Sequence, residues 1–343
     1  MQPLPEEIRA ARSEEKLRDR DLAAKLGITE AQLVAAHVGH GAIRIDAHPD
    51  TVMTAAKKLG DVMALTRNEA AVHERDGSYD EYHTGDHAAM VLGPEVDLRM
   101  FPKHWKNAFA VERDGMRSLQ VFDAAGDAVH KIYLREHSNH DVWPALLAEA
   151  AVEDQSQTLA VDPRTPIEAA KSNPGKLDVL EREWRRMTDT HQFLRLVSKL
   201  KMNRLGAYRL AGHEFVRALT PNSVDAALHK VKDSGIEVMI FVGNPGCIQI
   251  HTGPIGKLTP MGPWQNILDP RFNLHLRLDK IAEVWAVDKP TQRGKVVSLE
   301  AFDADGGLIL QIFGNSKPGS DSRQDWQKIV ETLKSANIEK ANS

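Results

Sequence analysis

The sequence predicts an α+β protein made by tandem duplication: two similar halves, each opening with helices and continuing into a large, mostly antiparallel sheet. The first observation is an internal repeat. Asp97-Leu98-Arg99-Met100, Phe109-Ala110-Val111 and Phe122-Asp123-Ala124-Ala125-Gly126 return in the same order as Asn273-Leu274-His275-Leu276, Trp285-Ala286-Val287 and Phe302-Asp303-Ala304-Asp305-Gly306. The offsets are 176, 176 and 180 residues, so one short insertion separates the copies. The second observation is a switch within each half from helical spacing of apolar residues to short alternating runs. The third is a polar stretch with Pro163, Pro166 and Pro174 between the halves. Together these divide the chain into an N-terminal repeat at 1–152, a linker at 153–175 and a C-terminal repeat at 176–343. A cleft between two such repeats is a common place for a ligand.

Residues 6–37 are rich in Glu, Arg, Ala and Leu and predict a helix pair, with Asp21 and Thr29 as caps and Gly27 as the break. A further helix is expected over 51–59, ended by Gly60. Strands are expected at 62–65, 70–74, 96–101, 108–112, 118–122 and 129–134. Asp114-Gly115 and Ala125-Gly126 lie between such runs as hairpin turns, which predicts an antiparallel meander. The second half repeats the scheme with helices at 177–200 and 222–234, then strands from Val238 to Phe313.

At 343 residues there is room for two cores, and 42% hydrophobic with 27% charged residues is the balance of a soluble globular protein. No apolar run approaches the roughly 20 residues of a membrane span, and the N-terminus lacks the features of a signal peptide, so a cytoplasmic location without stable membrane insertion is expected. A single cysteine, Cys247, rules out an internal disulfide and a multi-cysteine metal site. It lies between Gly246 and a strand and is expected to be buried rather than reactive. The formal net charge of -4 argues against broad nucleic-acid binding.

Fifteen histidines direct attention to side-chain chemistry. Leu177, Leu180, Trp184, Met187, His191 and Leu194 alternate in spacings of three and four, so they would share one helical stripe with His191 where a core residue belongs. Alternatively Asp189 caps a fresh helix with Gln192 three positions on, placing His191 in the first turn. Either arrangement predicts that His191 faces protein or ligand rather than open water. A half-buried histidine satisfied by a neighbour and an iron-ligating imidazole both fit this spacing.

Trp184-x-x-Met187-Thr188-Asp189-Thr190-His191-Gln192-Phe193, the run Asp97-Leu98-Arg99-Met100-Phe101 with His104-Trp105-Lys106 behind it, and Val287-Asp288-Lys289-Pro290-Thr291 together resemble the bacterial cytoplasmic hemin-transport and hemin-degrading family of the HemS, HmuS and ChuS type. The resemblance covers nearly the whole chain, duplication and linker included. It implies one haem in a cleft between the halves, with His191 as the proximal iron ligand and Arg99 on the opposite face. Both residues would then serve any oxidative degradation of the ring. An arginine is a permanent cation and a multiple donor, suited to holding a bound oxygen ligand. The resemblance further implies Arg204, Lys289 and Gln311 as polar pocket residues and Phe101, Phe241 and Phe313 as ring contacts. Two positions depart from the family pattern. Phe193-Leu194 stands where two phenylalanines are frequent, and Phe313 replaces an expected tyrosine, which removes a hydroxyl donor.

The implied function is to accept imported haem and open its ring to release iron, in preference to acting as a non-catalytic carrier or store for a separate haem oxygenase. An inner-membrane haem importer and an electron donor, or that separate oxygenase, are the implied partners. His83-Thr84-Gly85-Asp86-His87 has two histidines four apart, but its composition predicts a loop rather than a metal-binding helix. His37-Val38-Gly39-His40-Gly41 has Arg44 where a dinucleotide loop needs its third glycine. His73 and His251 match across the repeat, which suggests a structural role, with a second, surface haem contact at His73 as the alternative. The segment 23–33 resembles a helix-turn-helix, so a DNA-binding regulator is the rival from another class. Its second helix carries no Arg or Lys, and residues 1–40 hold six basic against seven acidic side chains, so no specific nucleic acid is expected.

Overall fold

The computed structural model of the protein describes residues 3–317 and 319–336. The chain divides into two compact units, the first of Met1–Asn68, Val72–Thr165 and Gly243–Ile250, the second of Glu69–Ala71, Pro166–Val242 and His251–Ser343. This division differs from the boundaries expected from the sequence, 1–152, 153–175 and 176–343. The proline-rich segment is divided after Thr165 and held along its length by hydrogen bonds. In the first unit Arg44 donates to the carbonyls of Ser156 and Thr158, each at 2.8 Å. In the second the Lys171 N–H donates to the Asn203 side chain at 2.9 Å.

In chain order the elements are α1 (Pro5–Glu14), α2 (Asp19–Leu26), α3 (Glu30–Ala35), β1 (Ala42–Ile45), α4 (Pro49–Leu59), β2 (Val62–Arg67), β3 (Ala71–Gly77), β4 (Tyr82–His83), β5 (Ala89–Leu92), β6 (Asp97–Met100), β7 (Asn107–Arg113), β8 (Met116–Phe122), β9 (Ala128–Leu134) and α5 (Trp143–Ala150). The second repeat supplies α6 (Leu177–Arg185), α7 (Gln192–Lys199), α8 (Arg204–Leu210), β10 (Val216–Leu219), α9 (Ser223–Ser234), β11 (Val238–Asn244), β12 (Cys247–Gly253), β13 (Leu258–Met261), β14 (Trp264–Asp269), β15 (Phe272–Arg277), β16 (Glu283–Thr291), β17 (Gly294–Phe302), β18 (Leu308–Gly314) and α10 (Arg323–Glu331). Among the described residues no helix is long and apolar enough to cross a membrane.

Within the first unit the strands run β1-β7-β8-β9-β2-β3, every pair antiparallel. Within the second, β10-β16-β17-β18-β11 form the corresponding antiparallel set, and β13-β14-β15 form a second one. The first unit also contains β4-β5-β6, to which Cys247–Ile250 of β12 adds as a further antiparallel partner.

The repeated Phe-Asp-Ala-x-Gly motif has a local physical basis. Asp123 accepts from the Asp127 N–H at 2.9 Å, and Asp303 accepts from the Gly307 N–H at 2.7 Å. Gly126 and Gly306 take φ of 79° and 92°, which L side chains disfavour. The β8/β9 and β17/β18 pairings each shift register at the phenylalanine just before this turn. One short motif thus sets the same bulged hairpin twice.

The predicted helix pair at 6–37 is three helices. Gly27 (φ 68°) ends α2, and Thr29 caps α3 reciprocally with Gln32. Asp21 is not a cap but the third residue of α2. All six residues of α3 are buried, which removes the rival helix-turn-helix reading: the helix that would enter a DNA groove is core. No helix is expected from the sequence at α5, α8 or α10, although the Asn203 side chain caps α8 by accepting the Gly206 N–H at 2.9 Å. β13–β15 lie within the strand region expected from Val238 to Phe313, and Phe272–Arg277 of β15 alternates between buried and half-buried residues.

Candidate functional site

The single helix expected over 177–200 is broken. α6 ends at Arg185 and α7 begins at Gln192, so the stripe from Leu177 to Leu194 does not exist as one face. The Gln192 side chain accepts from the Thr188 N–H at 2.9 Å and donates to the Thr188 hydroxyl at 3.2 Å, which turns the chain into α7. Asp189 Oδ1 accepts from the His191 backbone N–H and also meets the His191 ring Nδ1, each at 2.7 Å. A fresh helix does begin here, as the alternative reading has it, but Asp189 is not its cap and His191 itself occupies the position before α7. The expectation that it avoids open water is corrected, because its side chain is 92% exposed. Its Nε2 meets no hydrogen-bond partner among the described residues.

The start of α7 is firmly held. Phe193 is buried, with its ring 4.5 Å from Trp184 and 5.4 Å from Tyr208 between centroids. The Trp184 indole N–H donates to the Asp288 carbonyl at 2.9 Å. This aromatic cluster fixes α6, α7 and α8 over Trp285 and Val287 of β16.

The register places the remaining second-unit candidates on that same sheet face. Lys289 lies opposite Val296, Val287 opposite Ser298, Glu300 opposite Gln311, Ser298 opposite Phe313, and Phe241 opposite Gln311. Strand alternation therefore puts Lys289, Glu300, Ser298, Gln311, Phe313, Phe241 and Met239 on one side, while Leu299, Ile312 and Ile240 turn to the core under α9 and α10. Phe241, Phe313, Met239 and Gln311 stay half-buried. The two phenylalanine rings meet edge-on at 5.1 Å, and Gln311 makes no side-chain hydrogen bond among the described residues.

Lys289 and Arg204 do converge, but neither is an unpaired cation. Both bind Glu300, a fully buried acid that no sequence signal announces beyond its standing where the first repeat has Gln120. Lys289 Nζ and the Ser298 hydroxyl donate to one carboxylate oxygen at 2.8 Å each; Arg204 Nη1 at 2.8 Å and the Tyr208 hydroxyl at 3.0 Å donate to the other. Burial alone would raise the Glu300 carboxyl, but the charges of Lys289 and Arg204 outweigh it and hold the group far below the usual range. The first unit has its own buried acid, Glu30, paired with Lys131 and Arg67. There too burial is outweighed, and the pKa is held at about 2.

Arg99 and Phe101 belong to the first unit. Arg99, on β6 between Met90 and Ile248, is half-buried, pairs with Asp97 and donates to the Leu98 carbonyl at 3.0 Å. Phe101 is half-buried, and its N–H donates to the Gly246 carbonyl at 2.9 Å. His83 ends the two-residue strand β4 and His87 lies beyond it, so the pair shares no helix. His73 is fully buried and cannot meet a haem at the surface. Cys247 is buried as expected, and burial pushes its thiol up to about 12.

The second unit thus carries an exposed imidazole oriented by Asp189 and a sheet face with half-buried aromatic rings, within a duplicated α+β chain. The chain belongs to the HemS/ChuX family: a family model described as the haemin-degrading HemS.ChuX domain matches residues 27–150 and 201–333, once per repeat. It is 40% identical over 319 residues to the hemin transport protein HmuS of Yersinia pestis, covering 92% of each chain. Among solved structures it resembles holo-PhuS, a heme-binding protein from Pseudomonas aeruginosa, with a TM-score of 0.91 and 41% identity over 97% of this chain and 100% of that one. It also resembles ChuS, an E. coli heme oxygenase, with a TM-score of 0.85 and 33% identity over 95% and 99% of the two chains.

The residues present fit a haem. A haem iron takes an imidazole nitrogen whose ring partner is engaged elsewhere, and the flat macrocycle takes aromatic and aliphatic contacts with a few polar groups at its edge. His191 Nε2, the Phe241, Phe313 and Met239 side chains, and Gln311 are groups of those three kinds and would supply them.

Proposed function

We propose that the chain receives imported haem in the cytoplasm through His191 and opens the ring oxidatively to release iron. Haem would be the substrate and would supply its own iron as the oxygen-handling centre. The observation that carries this proposal is His191 itself: Asp189 occupies Nδ1, and the exposed ring leaves Nε2 without a partner among the described residues, the posture of a ligand rather than of a core histidine. The aromatic cluster behind Phe193 keeps α7 in place, so the imidazole is presented from a rigid base. Phe241, Phe313 and Met239 would shield the macrocycle from water, with Gln311 as an edge donor. Arg204 and Lys289 would act through the Glu300 network, which fixes Tyr208 and the floor under α8. Arg99, a cation and donor carried by the first unit, is the proposed second catalytic residue. A haem importer would deliver the ligand and a separate protein the electrons.

The test is an absorbance titration with hemin, wild type beside His191→Ala, followed by ascorbate in air with catalase present. A one-to-one Soret band that depends on His191 and then bleaches to an open-chain product is expected. A band that survives the reductant would replace degradation by carriage to a separate oxygenase, and no saturable band would overturn haem handling altogether. His104→Ala and His83→Ala should titrate as wild type. Losses in these comparable to His191→Ala would sink the ligand assignment.

A further inference from the structure

Asp189 does two things at once. Its Oδ1 accepts the His191 backbone N–H, which shapes the turn into α7, and the same oxygen lies 2.7 Å from the ring Nδ1. Oδ1 of a carboxylate is an acceptor only, so the proton of this bond sits on Nδ1. In the neutral ring that fixes the tautomer: Nε2 carries the lone pair. The turn between them is closed independently by the Thr188 and Gln192 pair. The ring is thus held by a local contact that does not rely on the core, and Asp189 is itself more than half exposed.

We propose that Asp189 is a positioning residue for the haem iron, one that sets both the direction and the electron-donating strength of the His191 imidazole. The proposal rests on His191 being the iron ligand. A carboxylate bound to the far nitrogen of a ligating imidazole orients the ring and raises its basicity, and losing such a partner typically weakens metal binding about 10- to 100-fold. A more basic imidazole also favours ferric over ferrous iron, so the charge on Asp189 should lower the reduction potential of the bound haem.

Asp189→Ala and Asp189→Asn separate the two roles. Asparagine keeps an oxygen acceptor for Nδ1–H and for the turn but removes the charge. With hemin as the probe, Asp189→Ala is expected to lose about 10- to 100-fold in affinity. Asp189→Asn should bind close to wild type yet show a raised midpoint potential and a lower ferrous iron–imidazole stretching frequency by resonance Raman. Because Thr188 and Gln192 close the turn without Asp189, both variants should keep the wild-type far-UV spectrum. Wild-type potential and stretch in Asp189→Asn would overturn the electronic role, and wild-type affinity in Asp189→Ala would overturn the orienting one. His191→Ala, run beside them, keeps the two failures apart. If it abolishes the band while the Asp189 variants match wild type, the positioning proposal alone fails; if it retains the band, the ligand assignment fails.

Discussion

Replacing Glu300 by glutamine should cost the second unit about 3–5 kcal/mol, because it leaves a buried cation without its counter-charge. The carboxylate is fully buried and receives four donors, two on each oxygen. Glutamine turns one of those acceptors into a donor, so one pair of partners loses its bond and meets an N–H instead. Lys289 is almost as buried as the acid and has no solvent to fall back on, whereas Arg204 is partly exposed and recovers some hydration. The assay is urea unfolding at neutral pH, with Lys289→Met and the double variant completing the cycle. The double variant should be less destabilised than the sum of the singles by at least about 1–3 kcal/mol, since each removes the other's penalty. The pH dependence has a fixed sign. The folded-state pKa of Glu300 lies below its ordinary value of 4.5, so its contribution is complete above about 4.5 and is lost as pH falls through the folded value. The stability gap between wild type and Glu300→Gln should therefore narrow on acidification below 4.5 and stay constant above it. A loss under about 1 kcal/mol at neutral pH, the size expected of a surface ion pair, would refute the buried-network account.

Gly206 on α8 has no room for a side chain, since an added Cβ would lie 1.9 Å from the Lys171 carbonyl oxygen. Gly206→Ala should destabilise by at least about 1–3 kcal/mol and lower the melting temperature, and an unchanged melting temperature would show that the 166–175 segment yields freely. Cys247 should be inert to a disulfide reagent in the folded protein and become reactive only as urea unfolds the chain. The neighbouring imidazole of His130 is 4.0 Å away, and burial holds that ring down to about 3, so it is too weak a base to take the thiol proton and form a thiolate–imidazolium pair. Rapid stoichiometric labelling without denaturant would contradict this burial.

Much of the architecture was legible because it rests on local chemistry. The repeat, the meanders β7–β9 and β16–β18, the hairpins at Asp114-Gly115 and Ala125-Gly126 and the Thr29 cap all arise from alternation, turn glycines and side-chain caps acting within a few residues. The break between α6 and α7 was only half legible. Trp184, Met187 and Leu194 continue the helical spacing across it, and Leu194 proves 52% exposed, so spacing alone mistakes an open residue for a core one. What stops the helix is the competition of Thr188, Asp189 and Gln192 side chains for backbone groups, which periodicity does not register.

The sequence by itself determined that the chain is a duplicated α+β protein, which family it belongs to and that His191 is the candidate ligand. Tertiary structure decided what the charged residues do. Arg204 and Lys289 look like cations available to a ligand until Glu300, about a hundred residues from one and eleven from the other, is found buried between them. In the same way the spacing around Gly27 resembles a helix-turn-helix, and only the fold shows that all six residues of α3 are buried. Burial and pairing are properties of the assembled fold, set by which strands and helices enclose a residue, and no local pattern of residue types encodes them.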